Sequence, residues 1–297
     1  MMQRAKKLQS PVIKKQGRNC FMMTGYTTLT DAQARGYLER LGIFPAEGAM
    51  PEPDLSFLNR LVEAHQKKVP FENIDVYQAR LPISLEISDL YEKIVVKKRG
   101  GYCFEMNGLF VCLLRTLGYD AWSCGCRVVR GRDQVRPILH RGNIVCLNNR
   151  LYFCDVGFGG PMPSQAVLLE SGKHQRIGQE EYWPVEEEHT WWSLVRMKRG
   201  NQDDYAPEAE AGECVEIMFQ TAMMEPADFL PLNYYVSEPA DSYFRVKMMA
   251  NIRTDTGYMD VSDMVFTIKE NGRVTRHGLE SEEERSAVLE KYFGICL

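Results

Sequence analysis

The chain has 297 residues, 36 basic and 40 acidic, for a formal net charge of −4. With 44% hydrophobic and 26% charged residues it has the composition of a folded globular protein. No run of about 18 apolar residues occurs, which excludes a membrane-spanning helix. Residues 1–22 carry Arg4, Lys6, Lys7, Lys14, Lys15 and Arg18 and no acid, so the remaining chain is more acidic than the total suggests. Such a body lacks the concentrated basic face that nucleic acid requires. Neither a nucleic acid nor a membrane is expected as a partner. The leader has no apolar segment and no small-residue cleavage site, so it is not a secretory signal. It is expected to be a disordered tail, with the functional chain starting near Met22 or Met23.

The nine cysteines are an odd number with no Cys-x-x-Cys pair, which argues against a secreted disulfide framework. Cys124-Gly-Cys126 has no histidine at zinc-ligand spacing and is expected at alternating strand positions, with no metal. Reduced cytoplasmic thiols, mostly packed as small hydrophobes, are the expectation.

In chain order, Thr30 caps a helix that buries Ala34, Tyr37, Leu38 and Leu41. A second helix runs from Asp54 to His65, before Val69-Pro70. A third starts at Ile87 with Ser88 as its cap. After Arg99-Gly-Gly, a fourth places Met106, Phe110, Leu113, Leu114 and Leu117 on one face, and Gly118 stops it. The period then changes. Strands are predicted at 121–129, 142–147, 151–155, 165–169, 190–196, 214–219, 242–250, 258–261 and 264–269, with Asn148-Asn149 as a hairpin turn. Residues 199–213 read as a polar, acidic loop, and 282–292 as a closing helix ended by Gly294. Helices followed by strands and a mixed tail predict an α+β fold with segregated layers.

The segment Arg99-Gly-Gly-Tyr-Cys-Phe-Glu-Met-Asn107 carries the strongest chemical signal. Its glycines allow a sharp turn into a helix, which puts Cys103 at or near the helix N-terminus, where unpaired amides stabilise a thiolate. The alternative is a buried, inert thiol. A nucleophilic cysteine needs a base from elsewhere in the fold. His140 precedes one predicted strand, and Asp155 ends the next. A hairpin turning at Asn148-Asn149 brings the two side by side, so that Asp155 can orient the imidazole; a surface hydrogen bond explains the pair equally well. His65, His174, His189 and His277 are read as structural or solvated. Asp155-Val-Gly-Phe-Gly-Gly160 can present backbone amides to an anion but lacks the lysine and hydroxyl of a nucleotide P-loop.

Together with His65-Gln-Lys-Lys-Val-Pro-Phe-Glu-Asn73 and Leu289-Glu-Lys-Tyr-Phe-Gly-Ile295, these segments, in this order, resemble the arylamine N-acetyltransferase family over about residues 24–297. The resemblance implies a papain-like cysteine core. A helical bundle with the nucleophile (23–118) would be followed by a β-barrel with His and Asp (119–215) and an α/β lid (216–297). It implies Cys103 as nucleophile, His140 as base and Asp155 as its orienter. Phe71 and Phe158 would line the acceptor pocket, and Gly159, Tyr235 and Ser242 would border coenzyme A. Arg136-Pro137 departs from relatives that carry small or hydroxyl residues there, and Arg136 can itself meet a phosphate. The implied reaction is ping-pong transfer of acetyl from acetyl-CoA to an arylamine or arylhydrazine, within xenobiotic metabolism. A papain- or transglutaminase-like hydrolase or acyltransferase without coenzyme A would use the same three residues. A non-catalytic binding protein of the same fold is a further alternative.

Overall fold

A computed structural model describes residues 25–44, 50–79, 82–132, 134–200 and 210–297. The basic leader 1–22 and positions 201–209 of the acidic loop lie outside the described residues.

Helix α1 (Asp31–Arg40) opens on a capping box, in which Gln33 N donates to Thr30 Oγ1 and Thr30 N donates to Gln33 Oε1. Helix α2 (Leu55–Lys68) starts at Asp54, whose carboxylate accepts Phe57 N at 2.7 Å. Helix α3 (Ile87–Tyr91) begins at Glu86 and continues as a π turn over Glu92–Val96. Ser88 therefore lies inside the helix, not at its cap. Helix α4 (Cys103–Thr116) is buried on every side from Cys103 to Leu114, which is why its apolar residues exceed a single face. It packs among α1, α2 and α3 in one continuous apolar core. Gly118 ends it at φ 92°.

Eight antiparallel strands follow: β2 (Asp120–Val128), β3 (His140–Leu147), β4 (Arg150–Cys154), β5 (Val167–Leu168), β6 (Gln175–Ile177), β7 (Glu180–Glu186), β8 (Trp191–Lys198) and β9 (Gly212–Gln220). Their order in the sheet is β5-β4-β3-β2-β9-β8-β7-β6. Asn148 and Asn149 both adopt positive φ, giving the primed turn that matches strand twist, and Leu147 pairs with Arg150 across it. The sheet curls until its edges meet. There the Gln175 side chain behaves as a piece of strand: it accepts Leu168 N at 2.9 Å and donates to Leu168 O at 3.0 Å.

Strand β9 runs through residues 215 and 216, so the sheet continues past the boundary that the sequence predicts between barrel and lid. Beyond it come α5 (Phe229–Ser237) and α6 (Tyr243–Val246), then β10 (Met249–Arg253), β11 (Gly257–Ser262), β12 (Val265–Glu270) and β13 (Arg273–Gly278). Helix α7 (Glu282–Val288) runs into a π turn over Leu289–Phe293, and Gly294 ends it at φ 68°. The strand predicted at 242–250 is corrected: Ser242 Oγ accepts Phe244 N and starts α6, so strand begins only at Met249. The last sheet has the order β1-β10-β11-β12-β13, in which β1 (Phe71–Glu72) comes from the helical region.

Candidate active site

The site grows from the contact between Pro70-Phe-Glu-Asn73 and Arg99-Gly-Gly101. Glu72 N donates to Gly101 O at 2.9 Å, and Gly100 passes so close to Pro70 that a Cβ there would sit 1.8 Å from the Pro70 carbonyl oxygen. Beneath this contact, the Glu72 carboxylate accepts Ile74 N and the Arg99 guanidinium. Arg99 also reaches Asp75, and Lys93 bridges Asp75 at 2.8 Å and Glu105 at 2.7 Å. Burial works against the Lys93 ammonium, but Glu105, Glu72 and Asp75 outweigh it and raise its proton affinity. Glu105 in turn accepts Tyr102 N at 2.9 Å, closing the first turn of α4. Cys103 thus sits at the head of a rigid helix, 3% exposed, beside the backbone amides that the helix leaves unpaired.

His140 opens β3, and its Nε2 meets Asp155 Oδ2 at 2.6 Å. With Nε2 taken by Asp155, Nδ1 is the ring nitrogen left for a further partner, and Cys103 lines the same cleft. The other Asp155 oxygen accepts Asn107 Nδ2 and Gly157 N, both at 2.8 Å. Burial opposes a charged His140, but Asp155 and Cys103 outweigh it and push the ring up to about 10. An imidazolium at neutral pH is the result. Asn107 lies one turn after Cys103 on α4, so one helix presents the thiol and braces the carboxylate. Sequence spacing hides that role, because the partners of Asn107 lie on strand β3 and in the loop after β4.

Cys103 and His140 open into a cleft of about 750 Å³ that is also lined by Phe71, Phe158, Gly159, Tyr235 and Ser242. Phe158 packs edge-on to His140, with centroids 5.4 Å apart. Gly159 adopts φ 65°, and a Cβ there would fall 2.7 Å from the Phe71 ring. Tyr235, 60% exposed, stands on the outer wall. Ser242 lines the cleft, although its hydroxyl also bonds Val236 O and caps α6. Arg130, Arg132 and Arg136 face the same cleft from the turn after β2 and the segment before β3. The sequence singled out Arg136 alone among these three.

The other histidines sit elsewhere. His65 is buried against Tyr37 and Phe110, and burial pushes it down to about 3. His174 stacks on Trp183, His277 stacks on Phe266, and His189 is exposed. Cys124 and Cys126 are interior neighbours on β2, with sulfurs 3.8 Å apart.

A cysteine at a helix start facing a barrel His–Asp pair in one cleft is an arrangement suited to acyl transfer, and the comparisons point to the same class. The model of the N-acetyltransferase family matches residues 54–297. The pineal gland arylamine N-acetyltransferase isozyme NAT-3 of Gallus gallus is 30% identical over 84% of this chain and 90% of its own. An arylamine N-acetyltransferase of Mycolicibacterium smegmatis is 28% identical over 88% and 91%. The solved structure of the Mycobacterium marinum arylamine N-acetyltransferase aligns with a TM-score of 0.78 at 28% identity, covering 88% of this chain and 92% of that one. Its complex with CoA aligns at 0.76, with the same identity and coverage. The chain belongs to the arylamine N-acetyltransferase family.

Proposed function

We propose that the protein transfers acetyl from acetyl-CoA to the nitrogen of arylamines and arylhydrazines through an acetyl-Cys103 intermediate. The observation that carries this is that buried Cys103 and His140 open into one cleft, with His140 bonded to the buried Asp155 carboxylate. The Cys103 thiolate attacks the thioester carbonyl carbon. Its tetrahedral oxyanion faces the Cys103 amide at the helix start, and the collapse expels the coenzyme thiolate, which takes the His140 proton. The acceptor nitrogen then attacks the acetyl-cysteine and gives its proton to His140. Release of the amide restores the thiolate–imidazolium pair.

Phe71 and Phe158 flank the reacting atoms and provide the apolar walls that an aromatic acceptor needs. Gly159 lets backbone approach the acyl donor, while Tyr235 and Ser242 border its outer arm. Arg132 and Arg136 supply positive charge for phosphates on an otherwise acidic protein. The described cysteines are free thiols, which suits the reducing cytoplasm. Acceptor recognition by two phenylalanine rings suits foreign arylamines, which supports a role in xenobiotic metabolism.

Incubation with acetyl-CoA alone is expected to add one acetyl group to Cys103, read by intact mass and peptide mapping. The same adduct in Cys103→Ala, or none in the wild type, would sink the proposal.

A further inference from the structure

We propose that Arg141 is a positioning residue whose buried guanidinium helps His140 keep the Cys103 thiol ionised. This rests on the thiolate chemistry proposed above. Arg141 follows His140 on β3, so its side chain leaves the opposite face of the sheet and enters the seam against α4. It is only 3% exposed. An arginine is almost never buried to this degree without an acid beside it, yet among the described residues no acid pairs with this one. Its partners are neutral. Nε donates to Ser123 Oγ at 2.9 Å, Nη1 faces Phe104 O at 3.5 Å, and the Phe229 ring covers the guanidinium carbon at 4.3 Å. Gly108 makes room for it: a Cβ there would fall 2.8 Å from Nη1. A glycine is a poor helix former, and α4 carries one where the cation lies against it.

A buried cation without an acid is costly unless another anion answers it. The groups around Arg141 able to become one are Tyr26 from the N-terminal segment, Cys103 and Cys112 from α4, and Cys124 from β2. Burial keeps Tyr26 and Cys112 protonated, and Cys124 packs against the Cys126 sulfur. Cys103 is the one whose chemistry uses the anion. On its other sides Cys103 faces His140, the Tyr102 phenol and the Cys126 thiol, and burial holds the last two neutral. Without Arg141, the thiolate and the Asp155 carboxylate would share a single cation, the His140 imidazolium. With it, two anions face two cations. The balance survives the reaction. Acetylation removes the thiolate, His140 has given up its proton, and Asp155 and Arg141 remain as one charge of each sign.

The test follows alkylation of Cys103 by iodoacetamide from pH 5 to pH 9 in the full-length protein, with the Cys103 peptide quantified by mass spectrometry. Arg141→Met keeps a stem of similar length and removes the charge. At pH 5 it should react about fivefold or more slowly than the wild type, and at pH 9 within about twofold of it, because only the thiolate reacts and rising pH restores it. Arg141→Lys should recover most of the rate at pH 5. Gly108→Ala pushes the guanidinium aside while giving α4 a better helix former. It should slow alkylation in the same pH-dependent way, and it decides the matter if Arg141→Met does not fold. A deficit of one size at every pH would overturn the proposal by making Arg141 a packing residue. So would an Arg141→Lys variant as slow as Arg141→Met, or no deficit at all. The acetyltransfer function is read separately: a wild type that alkylates as described but takes no acetyl from acetyl-CoA would defeat that function and leave the role of Arg141 standing.

Discussion

Asn107 uses every hydrogen-bonding position of its amide. Nδ2 donates to Asp155 Oδ1 and Arg141 O, while Oδ1 accepts Asn143 Nδ2 at 3.0 Å and Val156 N at 3.1 Å. A buried, fully satisfied amide fixes its neighbours with little freedom, so the Asp155 carboxylate meets His140 in one orientation. The charge on His140 follows from this. Its proton affinity is raised from 6.5 to about 10 in the folded protein, so the stability that the imidazolium contributes is complete below pH 6.5 and fades as pH rises through about 10. Asp155→Asn removes the charge that outweighs burial, leaving a neutral ring at pH 7. Acetyl-cysteine formation at pH 7 should then fall about a hundredfold or more. The stability deficit of the variant, from urea denaturation, should be larger at pH 6 than at pH 10; a deficit independent of pH would contradict this account. The residue types at 103, 140 and 155 were legible in the sequence, because a double-glycine turn before a cysteine and a hairpin between His and Asp each carry a geometric meaning. The bracing by Asn107 was not, since each of its partners is more than thirty residues away.

At the scale of elements, the contact between Pro70 and Gly100 decides where α4 begins. Gly100→Ala would drive a Cβ into the Pro70 carbonyl, and both atoms in conflict belong to backbone. A loss of about 3 kcal/mol is expected, at the upper end for overpacking, measured by chemical denaturation; a loss below about 1 kcal/mol would show that the contact yields. The capped helices and the Asn-Asn hairpin were readable because their signals are local. Other elements were not. Glu180–Glu186 contains Pro184 and a run of acids, yet it pairs with β8 because barrel closure leaves it a partner. Tyr243–Val246 has strand-like composition, but Asn73 pins the segment by donating to Phe244 O and Lys247 O. Helix α5 is held by Asn233, which bonds Tyr102 OH and Ile83 O. For Tyr243–Val246 and α5, a partner distant in sequence overrode local preference.

Across the whole molecule, closure of the eight-stranded sheet depends on a side chain where backbone pairing runs out. Gln175→Ala would leave Leu168 N without its partner and Leu168 O with Glu170 N alone. A loss of about 1–2 kcal/mol is expected, read as a fall of a few degrees in Tm; an unchanged Tm would mean that water replaces the amide without cost. The α+β class was legible from the order of helices and strands. The joining of the first layer to the last was not, because β1 is only two residues long and its partner Asn251 lies 180 positions away. That short strand orders events in time. During synthesis Phe71 and Glu72 emerge long before Met249–Arg253, so the wall that Phe71 forms beside Cys103 is completed only when the last sheet has been made. A nascent chain carries the thiol but not its finished surroundings. Chemical competence therefore arrives late, as a property of the completed polypeptide, and a prematurely terminated product would be inert toward acyl donors.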